Sequence, residues 1–182
     1  ELLEKVLKPY GPSGNEEAVA QTIRQALEGH VDSIETDVMG NLIAIKKGTN
    51  PNGKKVMFSA HMDHIGFIVT GFEKEGFLRV TNVGGVSPDS NQFRHVAFGN
   101  GVQGVVVSQP LKPGESRAMK HMFIDIGAQD KAEAEKMVKL GDVAVYAPNV
   151  VRLGQYRVAS PAMDDRSACA VLLQFLLQAG TY

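Results

Sequence analysis

The sequence predicts an α/β fold whose middle is a β-rich insertion. Three observations carry that reading: a helix-and-strand opening over 15–60, short β segments separated by Gly and Pro over 66–156, and an apolar helix after Asp164. Ser13 followed by Glu16 forms a capping-box pattern, and Val19, Ile23, Ala26 and Leu27 then recur at helical spacing, so a helix is expected over 15–28, lying against a sheet. Strands are expected over 34–38 and 42–46 around a Met39-Gly40-Asn41 turn, with a third over 54–60. The last two are apolar enough to be internal.

From Gly66 onward the texture changes. Phe67-Ile68-Val69, Phe77-Leu78-Arg79-Val80, Gly104-Val105-Val106-Val107-Ser108 and Val143-Ala144-Val145-Tyr146 are short strand-forming runs between turn residues, the pattern of a compact barrel or sandwich. One helix interrupts them over 130–139, with Asp130 as cap and Ala134, Met137 and Val138 facing inward. Gly101-x-x-Gly104 lacks the Lys-Ser or Lys-Thr of a phosphate loop and opens a strand, so these glycines read as structural. In the final helix Ala168, Val171, Leu172, Phe175 and Leu176 mark one face while Cys169, Leu173 and Leu177 cover the other, which predicts burial nearly all round.

The 182 residues are 43% hydrophobic and 21% charged, ordinary for a globular chain with a real core. With 19 basic and 20 acidic residues the net charge is -1, so no global field draws the protein to nucleic acid or to an anionic membrane. The one basic cluster, over 112–120, is broken by Pro113, Gly114 and Glu115 and reads as a solvated loop. The single cysteine, Cys169, excludes an internal disulfide and fits a reducing compartment. The longest apolar stretch, Ala168 to Leu177, is too short to span a bilayer, and Glu1-Leu2-Leu3-Glu4-Lys5 lacks the basic start and apolar core of a signal peptide. A cytoplasmic protein is expected.

Two places carry chemistry. The apolar run Val56-Met57-Phe58-Ser59-Ala60 leads into His61-Met62-Asp63-His64, placing an imidazole and a carboxylate where a strand meets a loop. Neutral imidazole is a good ligand for zinc-like ions, and a carboxylate beside it can accept the other ring N–H and so orient the ring. A loop hydrogen bond would use the same two residues. The second place is Met163-Asp164-Asp165-Arg166, at the start of the apolar helix. Acids there either cap exposed N–H groups or, near the interior, meet a cation, a donor or a metal; Arg166 can partner one of them. His30, at a helix end, and His95 and His121, in loops without acids at ligand spacing, read as non-ligands.

These motifs, with Gly11-Pro12-Ser13-Gly14-Asn15-Glu16, Asp37-Val38-Met39-Gly40-Asn41-Leu42, Asn82-Val83-Gly84-Gly85-Val86, Gly101-Val102-Gln103-Gly104-Val105-Val106 and Phe123-Ile124-Asp125-Ile126-Gly127, fall in one order along the chain. In that order they resemble the M42 family of metallo-aminopeptidases over essentially the whole length. The resemblance implies a catalytic α/β domain of zinc-peptidase type, 1–65 with 157–182, carrying an inserted barrel-like dimerisation domain, 66–156. It makes His61 a metal ligand, Asp164 the carboxylate bridging two divalent ions, zinc or cobalt, and Asp63 the catalytic carboxylate that orients His61. It further implies peptide substrates and self-association, from dimer to dodecamer. His64 stands where family members often carry Glu, and the wording over 87–95 also departs from the family. The family's Glu-Glu pair, a further Asp ligand and a late His have no counterpart, so the chain reads as the N-terminal half of such an enzyme. Three functions stand as alternatives: a metal-dependent aminopeptidase, a non-catalytic assembly partner, and a glycoside hydrolase, which needs two carboxyl groups flanking a sugar bond and is the poorest match.

Overall fold

A computed structural model of the protein describes residues 1–179. In chain order its main elements begin with helices α1 (Leu2–Leu7) and α2 (Glu17–Leu27) and strands β1 (Ser33–Thr36) and β2 (Leu42–Ile45). There follow β3 (Gly66–Phe72), β4 (Leu78–Val83), β5 (His95–Phe98), β6 (Gln103–Ser108), β7 (Met122–Asp125), helix α3 (Lys131–Met137) and β8 (Val143–Tyr146). A short hairpin, β9 (Val151–Leu153) and β10 (Arg157–Ala159), precedes helix α4 (Met163–Gln178). The chain divides into two compact units, one formed by Glu1–Asp63 with the segment from Asn149 onward, the other by His64–Pro148. The end of the expected final segment, 180–182, lies outside the described residues. No helix among the described residues is long and apolar enough to cross a membrane.

The second unit is a closed antiparallel barrel in the order β3-β4-β7-β6-β5-β8, with β8 pairing back onto β3. Of the two β architectures expected, the barrel is the one formed. Side chains alternate across each strand, so Phe67 and Val69, Leu78 and Val80, and Val96 and Phe98 point inward and are almost wholly buried, together with Val106, Met122 and Ile124. Gly104 in β6 has no room for a larger residue, since a Cβ there would sit 2.7 Å from Ile124 Cγ2 and 2.8 Å from the Asp125 carbonyl oxygen, which supports its structural reading. Asp130 caps α3 by accepting from the Glu133 N–H at 2.9 Å, as its type and place predict. His121 departs from expectation: it is buried, its Nε2 lies 3.2 Å from Glu115 Oε1, and its Nδ1 accepts from the Ala118 N–H. The acid that meets it comes from the loop before it, a pairing that ligand spacing does not display.

The first unit places α1, α2 and α4 together around Val6, Leu27, Ala170 and Leu173. Strands β1 and β2 form an antiparallel pair, and β9 and β10 form another. Three expectations are corrected here. The 54–60 segment joins no ladder, and Val56, Met57 and Phe58 are exposed, because no strand among the described residues lies beside it. Ile43 and Ile45 on β2 are likewise exposed on one face. Helix α4 is not buried all round, since Val171 and Phe175 face solvent, Phe175 at 5.5 Å between ring centroids from Phe58.

The interior of this unit is organised by a charge. Arg166 is fully buried, and its donors go to backbone carbonyls instead of to Asp164 or Asp165: Nε to Met62 at 2.7 Å, one terminal nitrogen to Val6 at 3.2 Å and Pro9 at 2.7 Å, the other to Gly11 at 3.1 Å. Burial pulls its pKa down to about 10, against the raising influence of Cys169 and Asp63, so it stays charged at neutral pH. Arg166→Met keeps the bulk and removes every donor, leaving carbonyls of the first unit unpaired. The expected loss is about 3 kcal/mol or more in urea unfolding, with hydrogen-exchange protection falling in α1 and α4 and persisting in the barrel strands. Arg166→Lys is expected not to restore it, because one ammonium cannot span the four acceptors.

Candidate metal centre

Residues His61, Met62 and Asp63 follow the unpaired 54–60 segment and are held in place from three directions. Arg166 donates to the Met62 carbonyl at 2.7 Å, the Cys169 thiol donates to the His61 carbonyl at 3.3 Å, and the Ser13 hydroxyl donates to Asp63 Oδ2. Two of those donors, Arg166 and Cys169, stand on the inward side of α4, three residues apart and so on one face of the helix. The cysteine is buried as expected, and burial pushes its thiol up to about 11, so it acts here as a neutral donor. Ser13 does not cap α2. The N-cap position is Glu16, whose carboxylate instead accepts from the Gly14 N–H at 2.7 Å.

These supports bring the three candidate residues into one line. His61 Nδ1 lies 2.9 Å from Asp63 Oδ1, and His61 Nε2 lies 3.2 Å from Asp164 Oδ1. Asp164 sits at the start of α4, where its backbone and that of Asp165 depart from helical angles and the peptide bond between them is cis. Its side chain is 95% exposed and that of His61 is 55% exposed, so the pair opens to solvent; the interior placement expected at the helix start is overturned for Asp164, while Asp165 is half-buried. His64 is buried at the start of the second unit.

Protonation follows from this geometry. An ionised carboxylate only accepts, so Asp63 requires the hydrogen on His61 Nδ1, and the neutral ring then presents a bare Nε2 lone pair toward another carboxylate. Two lone pairs 3.2 Å apart repel unless a proton or a cation lies between them. Burial lowers the His61 pKa, but the hydrogen bond and charge of Asp63, with a further contribution from Asp164, outweigh it and hold the pKa above its ordinary value. Burial likewise raises Asp63, yet the Ser13 and His61 hydrogen bonds bring it below the usual carboxylate range. A divalent cation placed there would compete with a proton for one position.

The donor set fits part of a metal centre. Ligands about 2.1 Å from one tetrahedral ion stand about 3.4 Å from each other, close to the Nε2–Oδ1 separation of 3.2 Å. Imidazole nitrogen with carboxylate oxygen is a donor pair suited to zinc and its neighbours. No group of three or more His, Cys, Asp or Glu side chains arranged to hold an ion occurs among the described residues. The arrangement offers two candidate ligating groups with a carboxylate beside the ring, short of the three protein ligands of an open catalytic zinc site.

The motif order read from the sequence has counterparts in known proteins. The profile of the M42 glutamyl aminopeptidase family matches residues 40–181. A protein of Acetivibrio thermocellus described as a candidate aminopeptidase is 44% identical over 175 residues, 96% of this chain and 52% of its own length. The structure of an aminopeptidase from the archaeon Desulfurococcus kamchatkensis superposes with a TM-score of 0.92 at 34% identity, over 100% of this chain and 52% of that one. A TET1 peptidase of Pyrococcus horikoshii, which can assemble into a tetrahedron or a large octahedral shell, superposes with a TM-score of 0.83 at 31% identity over 98% of this chain and 55% of that one. The chain spans about half the length of the curated relatives it matches. By profile, identity and superposition together, it belongs to the M42 glutamyl aminopeptidase family.

Proposed function

We propose that these residues form part of a metal-dependent aminopeptidase that removes N-terminal residues from peptides, with His61 and Asp164 as ligands and Asp63 as the group that orients His61. The observation that carries this reading is the facing of Nε2 and Oδ1 at 3.2 Å with the far side of the ring already occupied by Asp63. Zinc or cobalt bound there would polarise a scissile carbonyl and lower the pKa of bound water, and the family implies two such ions. The chain's own residues do the arranging. Asp63 keeps the ring hydrogen on Nδ1 and leaves Nε2 free to bind, Asp164 brings a negative charge to the same point, and its exposure leaves that point open to an extended peptide end. The remaining ligands and the general base would come from polypeptide beyond these 182 residues. The insertion expected over 66–156, most of which falls in the compact unit His64–Pro148, is proposed as the self-association domain, in line with the shells formed by the Pyrococcus horikoshii relative.

In a full-length protein containing this segment, His61→Ala and Asp164→Ala should each remove bound metal and nearly all peptidase activity. Unchanged metal content by elemental analysis in both would defeat the assignment. Asp63→Asn keeps the side-chain shape without the charge, so metal affinity should weaken about 10–100-fold while excess metal restores occupancy. Turnover at equal occupancy should remain below wild type, and wild-type behaviour in both measurements would reduce Asp63 to a loop carboxylate.

For the 182-residue chain by itself the count of two ligands favours a second reading, an assembly element without activity. Equilibrium dialysis should find divalent metal held weakly, and peptide substrates should show no turnover. Stoichiometric zinc surviving a mild chelator would mean that further ligands complete the site.

A further inference from the structure

Ser13 makes a hydrogen bond that its local structure does not ask for. It occupies the second position of a turn closed by the Asn15 N–H on the Pro12 carbonyl at 2.9 Å, with Gly14 at a φ of 87° in the third. Such a turn requires glycine or asparagine at the third position and accepts most residues at the second. The hydroxyl nevertheless reaches across 50 positions of sequence to Asp63 Oδ2, while Asp63 Oδ1 meets His61 Nδ1 at 2.9 Å. The two oxygens of one carboxylate are thus taken by partners from two separate segments. The torsion that rotates a carboxylate is soft and broad, so a partner on one oxygen decides where the other points.

We infer that Ser13 is a positioning residue for the metal centre: by gripping Asp63 Oδ2 it aims Oδ1 at His61 and holds that imidazole as the Nδ1–H tautomer, with Nε2 turned to Asp164. The hydrogen of the hydroxyl is committed, because an ionised carboxylate can only accept. The turn that carries Ser13 and the loop that carries Asp63 are tied to the same guanidinium, through Gly11 at 3.1 Å and Met62 at 2.7 Å, so the hydroxyl and carboxylate are delivered to each other by Arg166. The purpose of this alignment rests on the proposed metal role of His61. The alignment itself is a property of the metal-free chain and is measured there.

The test is the tautomer of His61 in the metal-free 182-residue protein. With histidine side chains labelled with nitrogen-15 and the pH held above imidazole titration, the His61 signals are identified by their absence in His61→Ala. Wild type should show one dominant form with hydrogen on Nδ1. Ser13→Ala should lose that single-form signature and average the two tautomers, with the same thermal midpoint as wild type. Ser13→Thr, which keeps a hydroxyl, should recover the Nδ1–H form, a rescue that bulk or turn geometry would not produce. Should Ser13→Ala fold poorly, Ser13→Cys, similar in size with a far weaker donor, is expected to show the same mixed signal. Nδ1–H dominance unchanged in a folded Ser13→Ala or Ser13→Cys would overturn the inference. Because no metal is present, that failure is separate from failure of the ligand assignment, which the metal content of His61→Ala and Asp164→Ala decides.

Discussion

One buried guanidinium joins the pieces of the first unit. Arg166 carries its charge into a site with no exposure, and four backbone carbonyls from three stretches of chain replace its water. Burial of the charge brings its pKa down to about 10, and backbone carbonyls are weaker partners for a cation than a carboxylate would be. They have a geometric merit that a carboxylate lacks. Each lies at a fixed place on the main chain, so satisfying all four sets the end of α1, the loop after it and the end of the 54–63 segment relative to α4. Hydrogen bonds to a buried charge are costly to break one at a time, so each of the four contacts resists loss.

The candidate centre inherits its order from that joint. His61, Met62 and Asp63 have no ladder to hold them, yet each accepts a donor: Cys169 on the first carbonyl, Arg166 on the second, Ser13 on the carboxylate of the third. Exposed loop residues with such anchoring can keep a ring within hydrogen-bond range of two carboxylates, which repel each other and gain from any cation placed between them.

The two units meet the hydrophobic requirement differently. In the barrel, closure leaves no free edge, and the inward residues of all six strands fill one core. In the first unit the buried cluster under α1, α2 and α4 is smaller, and Ile43, Ile45, Val56, Met57, Phe58, Val171 and Phe175 stay in water. Phe58 and Phe175 pack against each other, and all seven remain exposed among the described residues.

What the sequence by itself determined was local and periodic. Alternation at Phe67 and Val69 or Leu78 and Val80 is a property of a strand, capping by Asp130 is a property of one helix end, and the His61-Met62-Asp63 spacing already places a carboxylate next to an imidazole. The family likeness came from the order of such motifs. Only the tertiary structure decided the rest, because it depends on which distant groups meet. Ser13 reads as a cap and is used on Asp63; Arg166 reads as a partner for an acid and is used on carbonyls; His121 finds Glu115; and the apolar segment 54–60 and the Val171 and Phe175 face of α4 read as internal although they are exposed among the described residues. Propensity and periodicity report what a residue can do beside its neighbours in sequence. A hydroxyl, a guanidinium or an apolar face acquires its role from whatever long-range packing sets against it.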